Sequence, residues 1–260
     1  RSSDLAITKT DMESLNGELN LKGKNISNID GLQYATNVTY LILANNNITN
    51  LSPLTNLTKL KRLNARYNQI KDISPIKNLT NLESIDFHKN KISNISPIEN
   101  LYKLNAISFG GFPIKNISNI KFPKSIKSAL FQSAELSDIS FLEHIPNLDN
   151  LSLMGNNVSD ISVLGKLNDI QVVFLSNNII SDISILGAIP SLEHVELANN
   201  KISDISVLKN LTNITIGSAE NNQITSIPES LRSQFSKPNL YKNNLLEGFS
   251  DQKKLKLKEP

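Results

Sequence analysis

The chain has 260 residues, no cysteine and a formal net charge of +3 at pH 7, and it is long enough to bury a substantial core. The missing cysteine excludes disulfides and thiol chemistry, and the mild charge, with one dense basic run at 251–260, disfavours nucleic-acid binding. No apolar run approaches the roughly 18 residues of a membrane span, so we expect no direct membrane insertion.

A 22-residue repeat organises almost the whole sequence. Residues 57–78 align without a gap to residues 79–100, and the same frame continues through ten units. Each unit has the pattern L-x-x-L-x-L-x-x-N-x-I-x-x-I-S-x-L-x-x-L-x-x. This is the leucine-rich repeat pattern, in which every unit adds one parallel strand and its leucines to a continuous core.

Three elements follow one another within each unit. Alternating apolar residues in L-x-L predict a short strand, and the asparagine predicts a turn out of it. The I-S-x-L segment predicts a short 3₁₀ or helical turn on the far side. The predicted fold class is an α/β solenoid of leucine-rich repeats over residues 17–235, with a parallel β-sheet on the concave face and 3₁₀/α segments on the convex face.

Asparagine recurs at one position of the repeat. A stacked amide can donate and accept hydrogen bonds between successive coils, which favours a structural ladder over a catalytic role. Its predicted members are Asn46, Asn68, Asn90, Asn156, Asn178, Asn200 and Asn222. Lys24 holds this position in the first unit, as expected where an array begins, whereas Phe112 and Ala134 interrupt the ladder in the middle.

A second polar column alternates between Asn and Asp, from Asn28 to Asp204. Stacked carboxylates permit a calcium hypothesis, because hard cations take oxygen ligands. No second acidic column completes a coordination shell. We therefore expect each side chain to cap the following turn through backbone hydrogen bonds.

The sequence offers no catalytic constellation. His88, His144 and His194 fall in different units and cannot converge on one metal or nucleophile. The Gly110-Gly111 pair lacks the remaining residues of a phosphate-binding loop. We expect a protein that is not an enzyme and needs no cofactor, and a repeat array of this kind is by default a binding surface.

Side chains of a strand alternate between core and solvent, which predicts the exposed positions. The frame places Gly110 and Ile216 among them and Gly217 in the core. The exposed positions are basic and aromatic near the N-terminus, apolar past the middle and acidic toward the C-terminus, and Tyr, Arg, Phe and Met are enriched at interface centres. The predicted partner-binding residues of the concave face are Tyr40, Arg62, Arg66, Tyr67, Asp86, His88, Leu130, Met154, Val172, Phe174 and Glu196.

The two adjacent glycines give the middle of the array a distinct local sequence. Phe112 takes the place of a ladder asparagine directly after Gly110 and Gly111. One hypothesis is a shallow notch at Gly110, between the basic and apolar positions. The alternative is neutral variation in a tolerant array.

The 22-residue unit, with segments such as ISPIKNLTNL, resembles the internalin-type leucine-rich repeat proteins of Gram-positive bacteria. Residues 7–41 are similar to the end of that family's helical cap and its first repeat, and residues 243–260 to the passage into an immunoglobulin-like domain. The resemblance implies a cap remnant at 1–16, and at 236–260 a C-terminal cap with the start of such a domain.

This resemblance also carries a functional expectation. It implies a secreted or cell-surface protein of a Gram-positive bacterium, acting in adhesion and virulence, whose concave face binds a host-surface or extracellular protein. We expect the chain to be monomeric. The alternatives are an intracellular leucine-rich repeat scaffold, and a ligand-binding or spacer module in a surface iron or haem acquisition protein.

Overall fold

The computed structural model describes residues 8–236 together with Leu240 and Asn243. The chain divides into two compact units, Arg1–Ala134 and Glu135–Pro260, which are taken in turn. No helix of the described residues is long and apolar enough to cross a bilayer.

Two predicted segments fall partly outside this description. Of the cap remnant predicted at 1–16, residues 1–7 are outside it. Of the C-terminal cap predicted at 236–260, only Ser236, Leu240 and Asn243 are described.

The first unit begins with helix α1 (Lys9–Ser14), which a reciprocal pair of hydrogen bonds caps. The Thr8 hydroxyl accepts from the Asp11 N–H at 3.1 Å, and the Asp11 carboxylate accepts from the Thr8 N–H at 2.8 Å. Six parallel strands follow, each paired with the next: β1 (Asn16–Asn20), β2 (Asn37–Ile42), β3 (Arg62–Asn64), β4 (Ser84–Asp86), β5 (Ala106–Ser108) and β6 (Ser128–Leu130). The 3₁₀ segments between them are Leu32–Tyr34, Ser52–Leu54, Ser74–Ile76, Ser96–Ile98 and Ile117–Asn119.

The second unit repeats this arrangement. Its parallel strands are β7 (Asn150–Ser152), β8 (Val172–Phe174), β9 (His194–Glu196) and β10 (Thr215–Ser218). Its 3₁₀ segments are Ser140–His144, Ser162–Lys166, Ser184–Ala188, Ser206–Asn210 and Glu229–Gln234. The predicted fold class is confirmed, and the segments that connect the strands are 3₁₀ turns.

In the repeats that contain the ladder asparagine, its amide bonds the backbone of its own coil to that of the preceding coil. The Nδ2 of Asn178 donates to the carbonyls of Leu153 and Leu175, both at 2.9 Å, and its Oδ1 accepts from the Val158 N–H at 3.0 Å. The same bonds recur at Asn68 in the first unit. These amides are buried, so they satisfy backbone groups that water cannot reach.

The frame of the repeat shortens by one residue near the end. Asn243, 21 residues after Asn222, donates from Nδ2 to the Ala219 carbonyl at 2.9 Å and accepts from the Ile224 N–H at 3.0 Å. It therefore makes the same bonds as the other ladder asparagines. The sequence prediction assigned this residue to the C-terminal cap and missed it, although Leu240-x-x-Asn243 repeats the local L-x-x-N pattern.

Where asparagine is missing, an apolar side chain fills the position. Phe112 is buried with 6% exposure, and Ala134 with 1%. The boundary between the two compact units follows directly after Ala134.

The placement of Ile216 and Gly217 corrects the prediction. Ile216 is fully buried and pairs with Val195, while Ser218 pairs with Glu196, so Gly217 forms a bulge in β10. The prediction had Gly217 in the core and Ile216 exposed. The bulge brings the larger apolar side chain inward, and a Cβ at Gly217 would lie 2.0 Å from the Glu196 carboxylate.

The Asn/Asp column accepts hydrogen bonds from the turn that follows it. In the second unit, the carboxylates of Asp138, Asp160 and Asp182 each accept from the N–H of the serine two residues later, at 2.8 Å. These bonds hold the pKa of all three carboxyls below the usual 3.8. The described residues contain no cluster of three or more His, Cys, Asp or Glu that could hold a metal.

Replacement of Asn178 by alanine tests the ladder bonds. We expect Asn178→Ala to lower the free energy of unfolding by about 2–3 kcal/mol, because buried backbone groups lose their partners. Urea unfolding followed by circular dichroism measures the change. Asn168→Ala, an exposed asparagine in the same unit, should change it by less than about 0.5 kcal/mol. Equal effects from the two variants would contradict a specific role for the amide.

Candidate functional site

The strand face of the first unit is formed by the outward-pointing side chains of β2 to β6. Tyr40 lies beside Arg62 in register, and Asn64 lies beside Asp86. Neighbouring strands are about 4.8 Å apart, so these side chains contact one another and are mostly half-buried.

A depression of about 270 Å³ crosses this face. Tyr40 and Arg62 border it at one end, and Leu130 at the other. Between these ends the depression is lined by the small side chains of Ser84, Ala106, Ser108 and Ser128, together with Asn64 and Asp86. The strand face thus contains a shallow concavity with a basic, aromatic end and an apolar end.

Next to this depression, Arg66, Tyr67 and His88 form a cluster. The Arg66 guanidinium carbon lies 5.8 Å from the centre of the Tyr67 ring. The Tyr67 ring meets His88 edge-on, with centroids 5.9 Å apart and an interplanar angle of 75°. Tyr67 is 46% exposed, so an aromatic surface beside a cation faces solvent here.

The charge state of His88 follows from its surroundings. Burial is the main cause that lowers the pKa of His88 below its usual 6.5, with Lys89 and Arg66 lowering it further and Asp86 opposing them. The Asp86 carboxylate accepts from the His88 backbone N–H at 3.0 Å. His88 is therefore neutral at pH 7, and the positive charge of the cluster belongs to Arg66.

The turn that ends each strand contains a residue with positive φ, at a spacing of 22. Most of these residues are Gly or Asn, which tolerate the left-handed region: Gly23, Asn45, Gly111, Gly155, Asn177, Asn199 and Asn221. Among the described repeats, the exceptions at this position are Tyr67 (φ 56°), Lys89 (φ 57°) and Ser133 (φ 54°). A bulky tyrosine in this region is strained by roughly 1 kcal/mol.

The sequence prediction named Tyr67 but not the strain at its backbone. The recurrence of Gly and Asn every 22 residues was a usable signal for the left-handed position. Tyr67 departs from that recurrence, and this departure distinguishes it from the other exposed aromatic residues.

The strand face of the second unit has a different composition. The rings of Phe174 and His194 lie 5.6 Å apart, and His194 Nε2 is 3.3 Å from a carboxylate oxygen of Glu196. The Ser218 hydroxyl donates to the other oxygen of Glu196. Glu196 is 24% exposed and already engaged on both oxygens. Met154 and Val172 are half-buried on the same face.

The structure groups the predicted contact residues by unit. Tyr40, Arg62, Arg66, Tyr67, Asp86, His88 and Leu130 lie in the first unit, and Met154, Val172, Phe174 and Glu196 lie in the second. None of them is fully buried.

Several other positions predicted to be exposed are covered by their neighbours. The small side chains of Ala44, Ser108, Ser152, Ser176 and Ala198 are buried. Flanking larger residues shield small ones on a close-packed strand face. These positions shape the surface without presenting contact groups of their own.

The hypothesis of a shallow notch at Gly110 is wrong, because the surface has no opening at this residue. Gly110 is buried, and a Cβ there would lie 2.1 Å from the Gln132 carbonyl oxygen. Glycine is required because the next coil approaches closely. The concavity of this unit lies instead along the strands, above Ser84, Ala106 and Ser108.

Comparison with known families identifies the repeats. The profile of the family described as Leucine Rich repeats (2 copies) matches residues 36–78, 58–100, 169–210 and 190–233. A comparison with curated proteins gives no match.

Solved structures similar to this chain include two internalins of Listeria monocytogenes. Internalin InlF is 32% identical with a TM-score of 0.83, covering 92% of this chain and 70% of that one. Internalin C2 is 30% identical with a TM-score of 0.55, covering 80% and 84%. The receptor kinase ectodomain GASSHO1/SCHENGEN3 from Arabidopsis thaliana, solved in complex with Casparian strip integrity factor 2, is 23% identical with a TM-score of 0.67, covering 88% and 30%, and shows a shared fold alone.

Exchange of residues at the left-handed position tests the strain at Tyr67. We expect Tyr67→Asn to raise the free energy of unfolding by about 0.5–1 kcal/mol, because asparagine adopts positive φ more readily. The reciprocal change Asn45→Tyr, in the preceding 22-residue repeat, should lower the free energy of unfolding by about 1 kcal/mol. Urea unfolding measures both. A loss of stability in Tyr67→Asn would mean that ring contacts outweigh the backbone.

The neutral state of His88 predicts a pH dependence. Because its folded pKa lies below the unfolded 6.5, its contribution to stability is complete above pH 6.5 and is lost as the pH falls below that value. NMR titration of the imidazole should give a midpoint below 6.5. Between pH 6.5 and 5, the free energy of unfolding should fall less in His88→Gln than in the unsubstituted chain. A midpoint at or above 6.5 would contradict the burial argument.

Proposed function

The chain belongs to the internalin-type leucine-rich repeat proteins, and on that premise we propose that the strand face of its repeats binds a host-surface or extracellular protein. In this proposal the protein is a recognition and adhesion module, not an enzyme. It acts as a monomer, secreted from or attached to the surface of a Gram-positive bacterium.

The observation that carries this proposal is the concave strand face of the first unit. A depression of about 270 Å³ is bordered by Tyr40 and Arg62, with the Arg66 and Tyr67 pair beside it. Tyrosine and arginine are the residue types that contribute most at the centres of protein interfaces. A shallow trough of this size fits side chains of a protein better than it encloses a small molecule.

The second unit supports a protein ligand in its own way. Phe174, Met154 and Val172 place apolar side chains on its strand face, next to the acidic Glu196. Exposed apolar area rimmed by polar groups is typical of protein contact sites. The plant ectodomain with the same fold, solved in complex with its factor, is consistent with such a use of the repeats.

Adhesion of coated beads tests the proposal. Beads carrying the chain should bind cultured host cells, and protease treatment of the cell surface should abolish that binding. The double variant Tyr40→Ala/Arg62→Ala should reduce adhesion about tenfold, because interface centres lose most of their energy on such truncation. The adhesion of Phe174→Ala tests separately whether the strand face of the second unit contributes to binding.

The control is Lys77→Ala, which removes a positive charge from the end of the 3₁₀ segment Ser74–Ile76, away from the strand face. Unchanged adhesion in both strand-face variants would overturn the assignment of the binding face. Binding that survives protease treatment would overturn a protein ligand.

A further inference from the structure

We propose that the strand face of the first unit recognises two separated carboxylates of its protein partner, one on the guanidinium of Arg66 beside Tyr67 and one on Arg62. The proposal rests on the proposed function, because it names the partner chemistry of the same face. It assigns to Arg66 a two-pronged bond from its Nη atoms to a partner Asp or Glu.

The first compact unit carries a large positive net charge. Residues 8–134 carry 16 Lys and Arg against 8 Asp and Glu, a net charge of +8. Residues 135–236 carry 4 against 12, a net charge of −8. The nearly neutral whole chain therefore conceals a strongly basic unit, whose field attracts acidic partners.

The two arginines of β3 and its turn, Arg62 and Arg66, are not neutralised by a carboxylate of the described residues. In the part of the chain that the structure describes, no carboxylate forms an ion pair with Arg62 or Arg66. The nearby acid Glu83 pairs with Lys61 at 3.4 Å instead. Arg66 Nε and His88 Nδ1 are buried and have no hydrogen-bond partner among the described residues. A partner carboxylate on the Nη atoms would neutralise the Arg66 charge where the described residues do not.

Tyr67 has an unusual backbone conformation beside Arg66. Its backbone has φ 56°, and most other repeats have Gly or Asn at the same position. Its ring is 46% exposed. The ring lies against the cation of Arg66 on one side and the neutral His88 on the other. Retaining a strained, exposed aromatic side chain next to an unpaired arginine favours a contact role over a structural one.

The spacing of the groups sets the pattern of acids. Arg62 and Arg66 are four residues apart, which corresponds to about 13 Å along an extended strand. Between their levels lies Asn64, and beside Asn64 in register lies the carboxylate of Asp86. A continuous polyanion along β3 would meet this carboxylate and be repelled, whereas two acids about 13 Å apart would avoid it.

NMR titration with short peptides tests this proposal without the natural partner. The probe is the acetylated, amidated peptide Glu-Ser-Ala-Ser-Glu, whose extended form places its two carboxylates about 13 Å apart. The matched control peptide has glutamine in place of both glutamates. We expect backbone shift changes at residues around Arg62, Arg66 and Tyr67 with the acidic peptide only, and a loss of these changes in high salt.

Variants distinguish a specific contact from general charge. Arg66→Gln should reduce the shift changes about tenfold at a fixed peptide concentration, since it removes a charge-assisted bond. Arg66→Lys should reduce them about threefold, because it keeps the charge but loses the planar fork. Lys77→Ala, with the same loss of charge elsewhere, should leave them unchanged. A dispersed amide spectrum verifies that each variant is folded.

Other outcomes would overturn the proposal. Equal effects of Lys77→Ala and Arg66→Gln would mean that net charge alone attracts the peptide. Tighter binding of an all-glutamate peptide or a heparin oligosaccharide would favour a polyanion. Adhesion of coated beads without peptide binding would leave the proposed function standing and overturn this inference. Peptide binding without adhesion would overturn the adhesion function and leave the contact of Arg62 and Arg66 with two carboxylates standing.

Discussion

The asparagine amide that joins one coil to the preceding one, in all repeats but the first and the two with Phe112 and Ala134, is the interaction on which most of the structure depends. At Asn68, one amide group satisfies the carbonyls of Leu43 and Ala65 and the N–H of Ile48. Because these backbone groups are buried, each coil that contains the asparagine must return to the same place against its neighbour. This constraint supports the register of β2 with β3, which places Tyr40 beside Arg62. The strands β5 and β6 keep their register although Phe112 and Ala134 replace the asparagine there.

The turn beside this amide has a second requirement, a residue with positive φ. Most repeats have Gly or Asn at this positive-φ position. Tyr67 and Lys89 occupy it in two adjacent repeats of the basic strand face. The strain is therefore concentrated where the surface carries Arg66 and His88. Stability and recognition oppose each other at Tyr67, because the residue best suited to the backbone would present no aromatic surface.

Parallel stacking turns each position of the repeat into a column on the surface. Basic residues at many different surface positions then give a whole compact unit one sign of charge, with no cost to the core beneath them. The net charges of +8 for Arg1–Ala134 and −5 for Glu135–Pro260 show how far the two units have diverged on one scaffold. Each unit accordingly offers a partner a different chemistry, even though their cores follow the same pattern.

The 22-residue period was enough to predict the fold class and the strand positions, because it directly reflects the stacking of similar coils. Side-chain alternation is local and predicted most of the outward-facing residues, but it placed Ile216 and Gly110 wrongly. The folded chain alone shows the bulge that buries Ile216, the ladder position of Asn243, the burial of Gly110 and the depression above Ser84 and Ala106. These features depend on how closely neighbouring coils approach and on the sizes of side chains in adjacent units, which no single repeat encodes.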